Sequence, residues 1–450
     1  MEFKEKNFLK KDKTKDKTKD NQIEDMKIVT KNMSLRKISE SEIFFVPLLQ
    51  HKGERAFEIV RVGQEVRKYE KIAQGYGNIS ANIHSPVSGK VIRIMKNFLP
   101  DGSKVRTIII ENNFKEEQVK LVKREVRELR MATSEEILKI IEEAGIVGLG
   151  GAGFPVAAKY NIKLEKIDTF IINGMESEPY LTADYLLMKN YAKEICRGIK
   201  VAEKVLRPRH MVIAISEKNK ELVSIFERMA REVNIDLQIK ILSADYPQGS
   251  EILLIDKITG KKIQKGELTI EKGVIVSNVG TIKAIYDAFF EGKPLIERIV
   301  TVSGEEVQNA GNYKFRIGTP LVHIIESLNI TKTDKIIFGG PMMGNKVKEP
   351  STPIIKGTSG VIFLNEKKIE SKNCISCGRC VEVCPMNLIP FEFSEYYEKG
   401  RYVKMLNANI FNCIECGACE YVCPARVPLI ESIKNGKEIL IELINLEVES

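Results

Sequence analysis

Eight of the nine cysteines lie in two compact clusters near the C-terminus, and both clusters have the spacing C-x2-C-x2-C-x3-C-P. The first cluster consists of Cys374, Cys377, Cys380 and Cys384, and the second of Cys413, Cys416, Cys419 and Cys423. This spacing is typical of bacterial two-cluster ferredoxins, in which the fourth cysteine of each run binds the other cluster. We therefore predict one [4Fe-4S] cluster on Cys374, Cys377, Cys380 and Cys423, and a second on Cys413, Cys416, Cys419 and Cys384.

A zinc site and a disulfide framework are the two alternatives for these cysteines. Zinc needs one tetrahedral set of four ligands, which would not explain a third closely spaced cysteine or the proline after each run, Pro385 and Pro424. Secreted disulfide proteins do not confine their cysteines to one end of a long chain. The ninth cysteine, Cys196, lies beside Ile195 and Ile199 in a helical stretch and is predicted to be a packing thiol.

A glycine-rich loop is the second feature that could do chemistry. It covers residues 148–155 and is followed, about 20 residues later, by the segment 173–179, Asn-Gly-Met-Glu-Ser-Glu-Pro. Exposed N–H groups of such a loop can bind a phosphate or approach a flat ring closely. Because the loop follows a helix and not a strand, a generic Rossmann fold is disfavoured. Each segment alone is compatible with an ordinary turn, but together they predict a site for a polar ligand.

Short apolar alternations and Gly/Pro turns over residues 25–125 predict a β-module. Its pattern resembles the barrel-sandwich fold of lipoyl and biotinyl carriers. A carrier displays its modified lysine on a hairpin, whereas the corresponding stretch, residues 74–85, contains no lysine. A structural or docking module is therefore favoured over a carrier.

From Thr133 onward the sequence alternates between helical and strand patterns, which predicts an α/β domain over residues 130–268. Thr133 and Glu136 have the spacing of a capping box, and the helix that they begin is predicted to end at Gly145. A small α+β unit is predicted over residues 269–365. The other predicted segments are a disordered arm at 1–24, a ferredoxin domain at 366–435 with a helical insertion at 391–397, and a C-terminal tail at 436–450.

Length and composition limit the class of protein. A chain of 450 residues with 43% hydrophobic and 29% charged residues is long enough for several globular domains. The formal net charge is +9, but the basic residues are interspersed with acidic ones and form no basic stripe, so nucleic-acid binding is not expected. The longest apolar stretches are shorter than the roughly 18 residues that a membrane-spanning helix needs, and no secretory signal is visible. We therefore expect a protein that stays in the cytoplasm and does not cross a membrane by itself.

Four motifs resemble the flavin- and NADH-binding subunit of respiratory complex I. They are Gly-x-Gly-Gly-Ala-Gly-Phe-Pro at 148–155 with Lys159, Asn-x-x-Glu-Ser-Glu-Pro at 173–179, Tyr246-x-x-Gly249-x-Glu251, and Asn278-Val279-Gly280-Thr281. With the β-module before them and two ferredoxin motifs after them, residues 25–435 resemble the RnfC proteins of the Rnf complexes, which are ion-translocating ferredoxin:NAD oxidoreductases. The resemblance implies a multidomain α/β and α+β protein. Its parts would be a barrel-sandwich β-module, an α/β flavin- and nucleotide-binding domain, a ubiquitin-like β-grasp unit of the SLBB type and a two-cluster ferredoxin domain.

The resemblance also implies roles for individual residues. FMN would be bound by Gly148, Gly150, Gly151, Lys159, Asn173 and Glu176, while Tyr246, Gly249, Glu251 and Asn278 would line the same pocket. The catalytic residues, Phe154 and Glu178, would contact the nicotinamide nucleotide. Glu178 is predicted to lie on an exposed turn whose direction is fixed by Pro179.

Three positions depart from the complex I pattern. Leu149 replaces an arginine, Met175 replaces an acidic residue, and Ser250 replaces a glutamate. The methionines of the turn 339–344, Met342 and Met343, are predicted to pack and not to contact a cofactor.

The resemblance implies an electron-transfer enzyme of the translocase class. Hydride would pass between NAD(H) and FMN, and single electrons would pass between FMN and the two [4Fe-4S] clusters. Its partners would be the other subunits of the Rnf membrane complex, including iron–sulfur subunits that exchange electrons with it. It would lie peripherally on the cytoplasmic side of the cytoplasmic membrane, across which the complex moves Na+ or H+. Two alternatives stay open: a soluble flavoprotein similar to the cobalamin reductases, and a non-catalytic adaptor whose clusters only relay electrons.

Overall fold

The computed structural model describes residues 23–162, 166–263, 267–331, 333–365 and 371–449. These residues form two units, one over Asp25–Ile369 and the other after residue 370. The disordered arm predicted at residues 1–24 lies almost entirely outside the described residues. The segment 25–37 contains helix α1 (Ile28–Lys31) and strand β1 (Arg36–Lys37), and we call it the N-terminal strap.

Two antiparallel sheets form the β-module. Its strands are β2 (Ile43–Pro47), β3 (Phe57–Glu58), β4 (Glu65–Val66), β5 (Lys71–Gln74), β6 (Ile83–His84), β7 (Gly89–Phe98) and β8 (Lys104–Asn112). One sheet has the order β2-β8-β7-β4 and the other β3-β5-β6. Alternating apolar residues such as Phe44 and Val46 of the first sheet are fully buried with Ile72 of the second. The predicted barrel-sandwich module is confirmed, but its first strand begins at Ile43.

A parallel four-stranded sheet of order β11-β10-β9-β12 is the centre of the α/β domain. Its strands are β9 (Thr169–Gly174), β10 (His210–Ser216), β11 (Gln238–Leu242) and β12 (Val274–Asn278). The helices are α2 (Val126–Met131), α3 (Ser134–Glu143), α4 (Val156–Tyr160), α5 (Ala183–Leu206), α6 (Glu221–Val233), α7 (Glu251–Thr259) and α8 (Val279–Glu291). The predicted capping box is confirmed, because the Thr133 hydroxyl accepts the Glu136 N–H at 3.2 Å. Cys196 is fully buried in the core on α5, as predicted.

The predicted boundary between residues 268 and 269 is wrong. Strand β12 pairs with β9 in parallel, and α8 packs on α5 of the same domain. Both β12 and α8 fall within the segment predicted to be the small α+β unit. The α/β domain therefore continues to Glu291, because its sheet is completed by a strand that lies about 100 residues away from its partner in sequence.

A six-stranded mixed sheet of order β1-β14-β13-β17-β15-β16 follows. Its further elements are β13 (Glu297–Gly304), β14 (Gly311–Arg316), α9 (Leu321–Ser327), β15 (Lys335–Phe338), β16 (Asn345–Val347) and β17 (Gly360–Leu364). The strap supplies its edge strand, since Arg36 of β1 is the parallel partner of Tyr313 of β14. Residues 25–37 therefore belong with this sheet and not with the β-module, in which they were predicted.

The C-terminal unit is helical. Its helices are α10 (Arg379–Glu382), α11 (Pro390–Glu398), α12 (Tyr402–Asn407), α13 (Ala418–Tyr421) and α14 (Leu429–Glu449). The predicted helical insertion is confirmed as α11. The predicted tail at 436–450 is not a separate segment, because α14 crosses residue 435 and buries Ile433 and Leu440 against Phe393 and Met405.

Lys356 joins the three domains of the larger unit. It lies between β16 and β17, is 1% exposed, and donates from Nζ to the carbonyl of Asn82 at 2.8 Å and to that of Gly145 at 2.7 Å. Its amide donates to Gln50 Oε1 at 3.1 Å. Asn82 and Gln50 belong to the β-module, and Gly145 follows α3. Desolvation by burial lowers the pKa of Lys356 to about 7.

We expect Lys356→Met to remove a pH dependence of stability. In the unfolded chain the lysine titrates near 10.5, whereas in the folded protein it loses its proton at about 7. Between these values the unfolded state binds more protons, so stability of the natural protein rises with pH by up to about 1.4 kcal/mol per unit. Thermal unfolding measured at several pH values from about 7 upward should show this rise in the natural protein and a flatter profile in the variant. Parallel profiles would contradict the burial of a neutral lysine.

Candidate functional site

The carboxyl ends of the parallel strands meet at one edge of the α/β sheet, which we call the carboxyl edge. Asn173 of β9 and Asn278 of β12 are direct register partners there. In open parallel sheets, ligands bind in the crevice outside the carboxyl ends of the strands. The glycine loop, the turn after β9 and the loop before α7 all reach this edge, and they carry the residues predicted to bind FMN.

The glycine loop folds back on itself. The amide of Gly148 donates to the carbonyl of Phe154 at 2.8 Å, and the amide of Gly153 donates to the carbonyl of Gly148 at 3.2 Å. The β-module also holds this loop, because the amide of Lys52 donates to the carbonyl of Gly153 at 2.9 Å. The half-buried Phe154 is therefore fixed at the base of a closed loop.

The same loop lies against the end of β12 and the start of α8. The amide of Leu149 donates to the Thr281 hydroxyl at 2.9 Å. A Cβ atom at Gly150 would lie 3.2 Å from the Cβ atom of Asn278, so only glycine allows this close approach without displacement. Gly150 and Gly151 are both exposed, which leaves their backbone accessible to a ligand.

Lys159 and Asn173 converge on the same edge from two sides. Lys159 Nζ donates to the carbonyl of Val276 at 2.8 Å and lies 3.3 Å from Glu251 Oε1. Asn173 donates from its side-chain amide to the carbonyl of Gly249 at 2.9 Å. A cation, amide groups and accessible loop backbone therefore surround one place, and this donor set fits a ligand with a phosphate and a polar ring edge.

Glu176 fixes the turn after β9 to helix α5. Its carboxylate accepts the N–H groups of Asp184 at 2.8 Å and Tyr185 at 3.0 Å, in the first turn of α5. Its backbone is in the left-handed region, with φ of 39°, which is strained for a residue with a side chain. Burial raises the pKa of Glu176 to about 7; Lys27 opposes this rise and Asp184 adds to it.

The prediction that Glu178 lies on an exposed turn is wrong. The residue is half-buried against the six-stranded sheet. Its carboxylate accepts the N–H of Met342 at 3.1 Å and that of Met343 at 2.9 Å. A Cβ atom at Gly340 would lie 2.3 Å from Glu178 Oε2, so the glycine makes room for this carboxylate. Burial raises the pKa of Glu178 to about 7. The backbone of the turn 339–344, which we call the methionine turn, therefore positions Glu178. The sequence pattern alone did not indicate this contact.

The three departures from the complex I pattern have structural explanations. The side chain of Leu149 is 5% exposed in the main core of the domain, and that of Met175 is 2% exposed in a second core cluster with Ile171. Ser250 is the N-cap position of α7. Tyr246 is half-buried on the loop between β11 and α7. The two apolar replacements therefore serve packing and do not point into the space for a ligand.

Three charged residues near the carboxyl edge were not predicted from the sequence. Asp184 Oδ2 accepts the Asn278 side-chain amide at 2.6 Å, and burial raises its pKa. Arg298 is 8% exposed and donates to the carbonyl of Leu149 at 3.3 Å. Lys27 of the strap donates to the carbonyl of Glu176. Since each comes from a different element, no local motif could have indicated them.

The eight clustered cysteines line two cavities in the C-terminal unit. One is lined by Cys374, Cys377, Cys380 and Cys423, and the other by Cys384, Cys413, Cys416 and Cys419. In each cavity the fourth cysteine comes from the other run, which is the predicted grouping. Within the described ranges, no group of three or more His, Cys, Asp or Glu side chains is spaced to hold a single metal ion. Four thiols around an apolar cavity are the donor set of a [4Fe-4S] cluster.

The two cysteine loops repeat the same backbone geometry. Gly378 and Gly417 have φ of 79° and 76° and are the N-cap residues of the short helices α10 and α13. Backbone N–H groups approach the first sulfur of each run, from Ser376 to Cys374 and from Glu415 to Cys413, both at 3.4 Å. Donors to cluster sulfurs are one of the means by which proteins set cluster potentials.

Four protein-family models match the regions in which the four domains were predicted. The family model of the RnfC barrel sandwich hybrid domain matches residues 15–115, and that of the Nuo51 FMN-binding domain matches residues 141–287. The SLBB domain model matches residues 299–346, and the 4Fe-4S dicluster domain model matches residues 373–427. These matches confirm the predicted fold class and cofactors. FMN and [4Fe-4S] clusters are the cofactors of this chain.

Similar curated proteins cover most of the chain. The C subunit of the ion-translocating oxidoreductase complex of Rhodobacter capsulatus is 39% identical over 88% of this chain and 78% of its own length. The chain belongs to this RnfC family. Two further members are named as C subunits of ferredoxin:NAD(+) oxidoreductase complexes. The proton-translocating protein of Clostridium ljungdahlii is 36% identical over 84% of each chain, and the Na(+)-translocating protein of Acetobacterium woodii is 35% identical over 89% of this chain and 91% of its own.

A solved structure shares part of the fold. An NAD+-reducing [NiFe]-hydrogenase superposes with a TM-score of 0.52 over 71% of this chain and 69% of its own, at 17% identity. At this identity the likeness concerns the fold alone. None of the helices in the described part of this RnfC family member has both the length and the apolar character to span a membrane.

We expect pairs of cysteine variants to reveal cross-ligation of the clusters. Cys423→Ala and Cys374→Ala should abolish the same EPR signal of the reduced protein, because both residues line one cavity, whereas Cys384→Ala and Cys413→Ala should abolish the other. Each variant should lose about half of its iron. The control, Cys196→Ala, lies in the core of the other unit and should keep both signals. If Cys423→Ala and Cys413→Ala lost the same signal, the grouping would be wrong.

Proposed function

We propose that this chain is the peripheral subunit that passes electrons between NAD(H) and the other redox subunits of a membrane-bound, ion-translocating ferredoxin:NAD oxidoreductase, on the cytoplasmic side. The observation that carries the proposal is the presence, in one chain, of a carboxyl edge whose donor set fits a flavin phosphate and of two cavities that are each lined by four cysteines. An electron carrier that exchanges hydride with one partner and single electrons with another needs both.

The carboxyl edge would hold FMN through residues that the fold brings together. Gly148, Gly150 and Gly151 would offer accessible loop backbone, and Lys159 would offer its ammonium to the phosphate. Asn173, Glu176, Tyr246, Gly249, Glu251 and Asn278 would complete the flavin pocket. The contacts among Lys159, Glu251 and Asn173 described above support this assignment, because they hold the donors in place before the ligand binds.

Phe154 and Glu178 would contact the nicotinamide nucleotide. Phe154 is fixed by the closed glycine loop, and Glu178 is oriented by the two amides of the methionine turn. When FMN and the clusters are bound, they supply the chemistry: flavin exchanges hydride with NAD(H) and single electrons with iron–sulfur centres. The chain supplies binding, orientation and the fixed charges around these groups.

The partners would be the membrane subunits of the complex and its other iron–sulfur subunits. The relatives named as proton- and Na(+)-translocating proteins support a role in the translocase class. Electrons would run mainly from ferredoxin toward NAD+. The β-module lacks a carrier lysine in residues 74–85, which supports a docking use toward those partners. Attachment to the membrane would then depend on contacts with other subunits.

The alternatives are less well supported. A soluble protein similar to the cobalamin reductases would begin near the glycine loop, whereas this chain has a folded β-module from Ile43 to Asn112. A non-catalytic adaptor would not need the donor set at the carboxyl edge. Binding of FMN by the isolated chain would support an enzyme and exclude the adaptor. Co-purification with integral membrane subunits would support the complex and exclude the soluble reductase.

We expect Lys159→Met to weaken FMN binding at least about tenfold, because losing one charge-assisted hydrogen bond costs roughly 1.4 kcal/mol of binding free energy. The control is Lys240→Met, which removes an exposed lysine from β11 of the same sheet. Titration of the iron-containing chain with FMN, followed by flavin fluorescence, measures the affinity. Equal affinities of the two variants would remove Lys159 from the flavin site.

A further inference from the structure

The N-terminal strap crosses the turn that carries Glu176 and Glu178. The amide of Tyr180, at the end of that turn, donates to the carbonyl of Asp25 at 2.8 Å. The hydroxyl of Thr30 lies 2.7 Å from that of Thr182, which precedes α5. The strap therefore contacts the chain directly after Glu178, although about 150 residues separate the two segments in sequence.

Lys27 connects the centre of the strap to the strained residue of the turn. Its ammonium donates to the carbonyl of Glu176, the residue with φ of 39°. A bond to the carbonyl and two bonds to the carboxylate thus hold Glu176 from both ends. Residues in sparsely populated backbone conformations persist where their surroundings over-determine them, and they occur often at functional sites.

The charges around Lys27 are mostly negative. The ionisable groups whose charges act on Lys27 or Glu176 are Asp25 of the strap, Glu176 and Glu178 of the turn, Asp184 of α5, and Arg298 of β13. Desolvation lowers the pKa of Lys27, and the surrounding carboxylates oppose that shift. A third cation, Lys218, pairs with Asp25, so Lys27 and Arg298 are the cations that act on Glu176 and favour its ionised form.

We propose that Lys27 is a positioning residue of the flavin and nucleotide site, which holds the Glu176–Glu178 turn in its strained form and keeps the Glu176 carboxylate ionised. This inference rests on the proposed function, because it assigns the turn to that site. It extends the site to the strap, which lies before the β-module and outside all four motifs that resemble complex I.

The physical basis is the dependence of the turn on an ionised acceptor. Only the carboxylate form of Glu176 can accept both N–H groups at the start of α5 with full strength. Burial already raises its pKa to about 7, and the charge of Lys27 limits that rise. Without Lys27, Glu176 would take up its proton at a higher pH, and the turn would lose part of its anchor on α5 over a wider pH range.

The test uses the full chain loaded with FMN and clusters under anaerobic conditions. Lys27→Gln removes the charge but keeps an N–H donor, Lys27→Arg keeps the charge, and Lys31→Gln is the matched control on the same strap. Lys31 contacts the Lys218 carbonyl, Glu221 and the ring of Tyr185, whose N–H binds Glu176, but it makes no described contact with Glu176 or Glu178 themselves. We measure kcat/KM for NADH oxidation with an artificial acceptor from about pH 6 to about pH 9.

We expect activity of the natural protein to fall as pH drops through about 7. In Lys27→Gln this fall should occur about one pH unit higher, with roughly fivefold lower kcat/KM at neutral pH and recovery in alkali. Lys27→Arg and Lys31→Gln should keep the natural profile. A uniform loss in Lys27→Gln, without a shift of the profile, would show a merely structural role and overturn the proposal.

A second measurement does not need substrate. Because the folded pKa of Glu176 is raised, its contribution to stability is lost as pH rises through that pKa. The difference in thermal midpoint between Lys27→Gln and Lys31→Gln, in which the contributions of Lys356 and Glu178 cancel, should therefore grow over about one pH unit above about 7. Identical pH profiles would overturn the role of Lys27 even if the chain bound no FMN, whereas a shifted profile in a chain without FMN would reject the proposed function alone.

Discussion

The parallel pairing of β9 with β12 is the constraint on which the site depends. It sets Asn173 opposite Asn278, so that the turn after β9 and the start of α8 face each other at the carboxyl edge. The glycine loop then approaches Asn278 at Gly150, where a Cβ atom would lie 3.2 Å from that of Asn278, and the backbone of Gly150 stays exposed. A one-residue change of register would separate the two asparagines and turn their side chains to opposite faces of the sheet.

Buried lysine and arginine side chains hold the domains of the larger unit around this edge. Lys356 donates to carbonyls of the β-module and the α/β domain, and Arg298 of the six-stranded sheet donates to the glycine loop and to the Lys356 carbonyl. A buried charge without partners costs several kcal/mol, so each domain can dock only where these donors meet their acceptors. The Glu178 carboxylate makes the same kind of contact with the methionine turn. Polar contacts between domains thus determine the shape of the ligand site.

Local patterns predicted what local interactions determine. The capping box at Thr133 indicated the start of α3, because it depends on residues within one turn. The repeated cysteine motif indicated both clusters, because it marks three local ligands and a fourth that belongs to the other run. Long-range pairing was not predictable in this way. The edge strand β12 resembles any short apolar strand, and Lys27 lies in a polar segment without a motif. The side chain of Glu178 finds its partners at Met342 and Met343, about 165 residues away, and no periodicity in the sequence indicates such a contact.

An anaerobic titration of the reconstituted full chain with NADH tests most directly whether the carboxyl edge is a flavin site connected to the clusters. Visible absorbance follows the flavin, and EPR follows the iron–sulfur signals in the same samples. We expect NADH to bleach one bound FMN per chain and then to produce EPR signals of reduced clusters. Bound FMN that NADH leaves oxidised, or a chain that holds iron but no flavin, would contradict the assignment of the carboxyl edge.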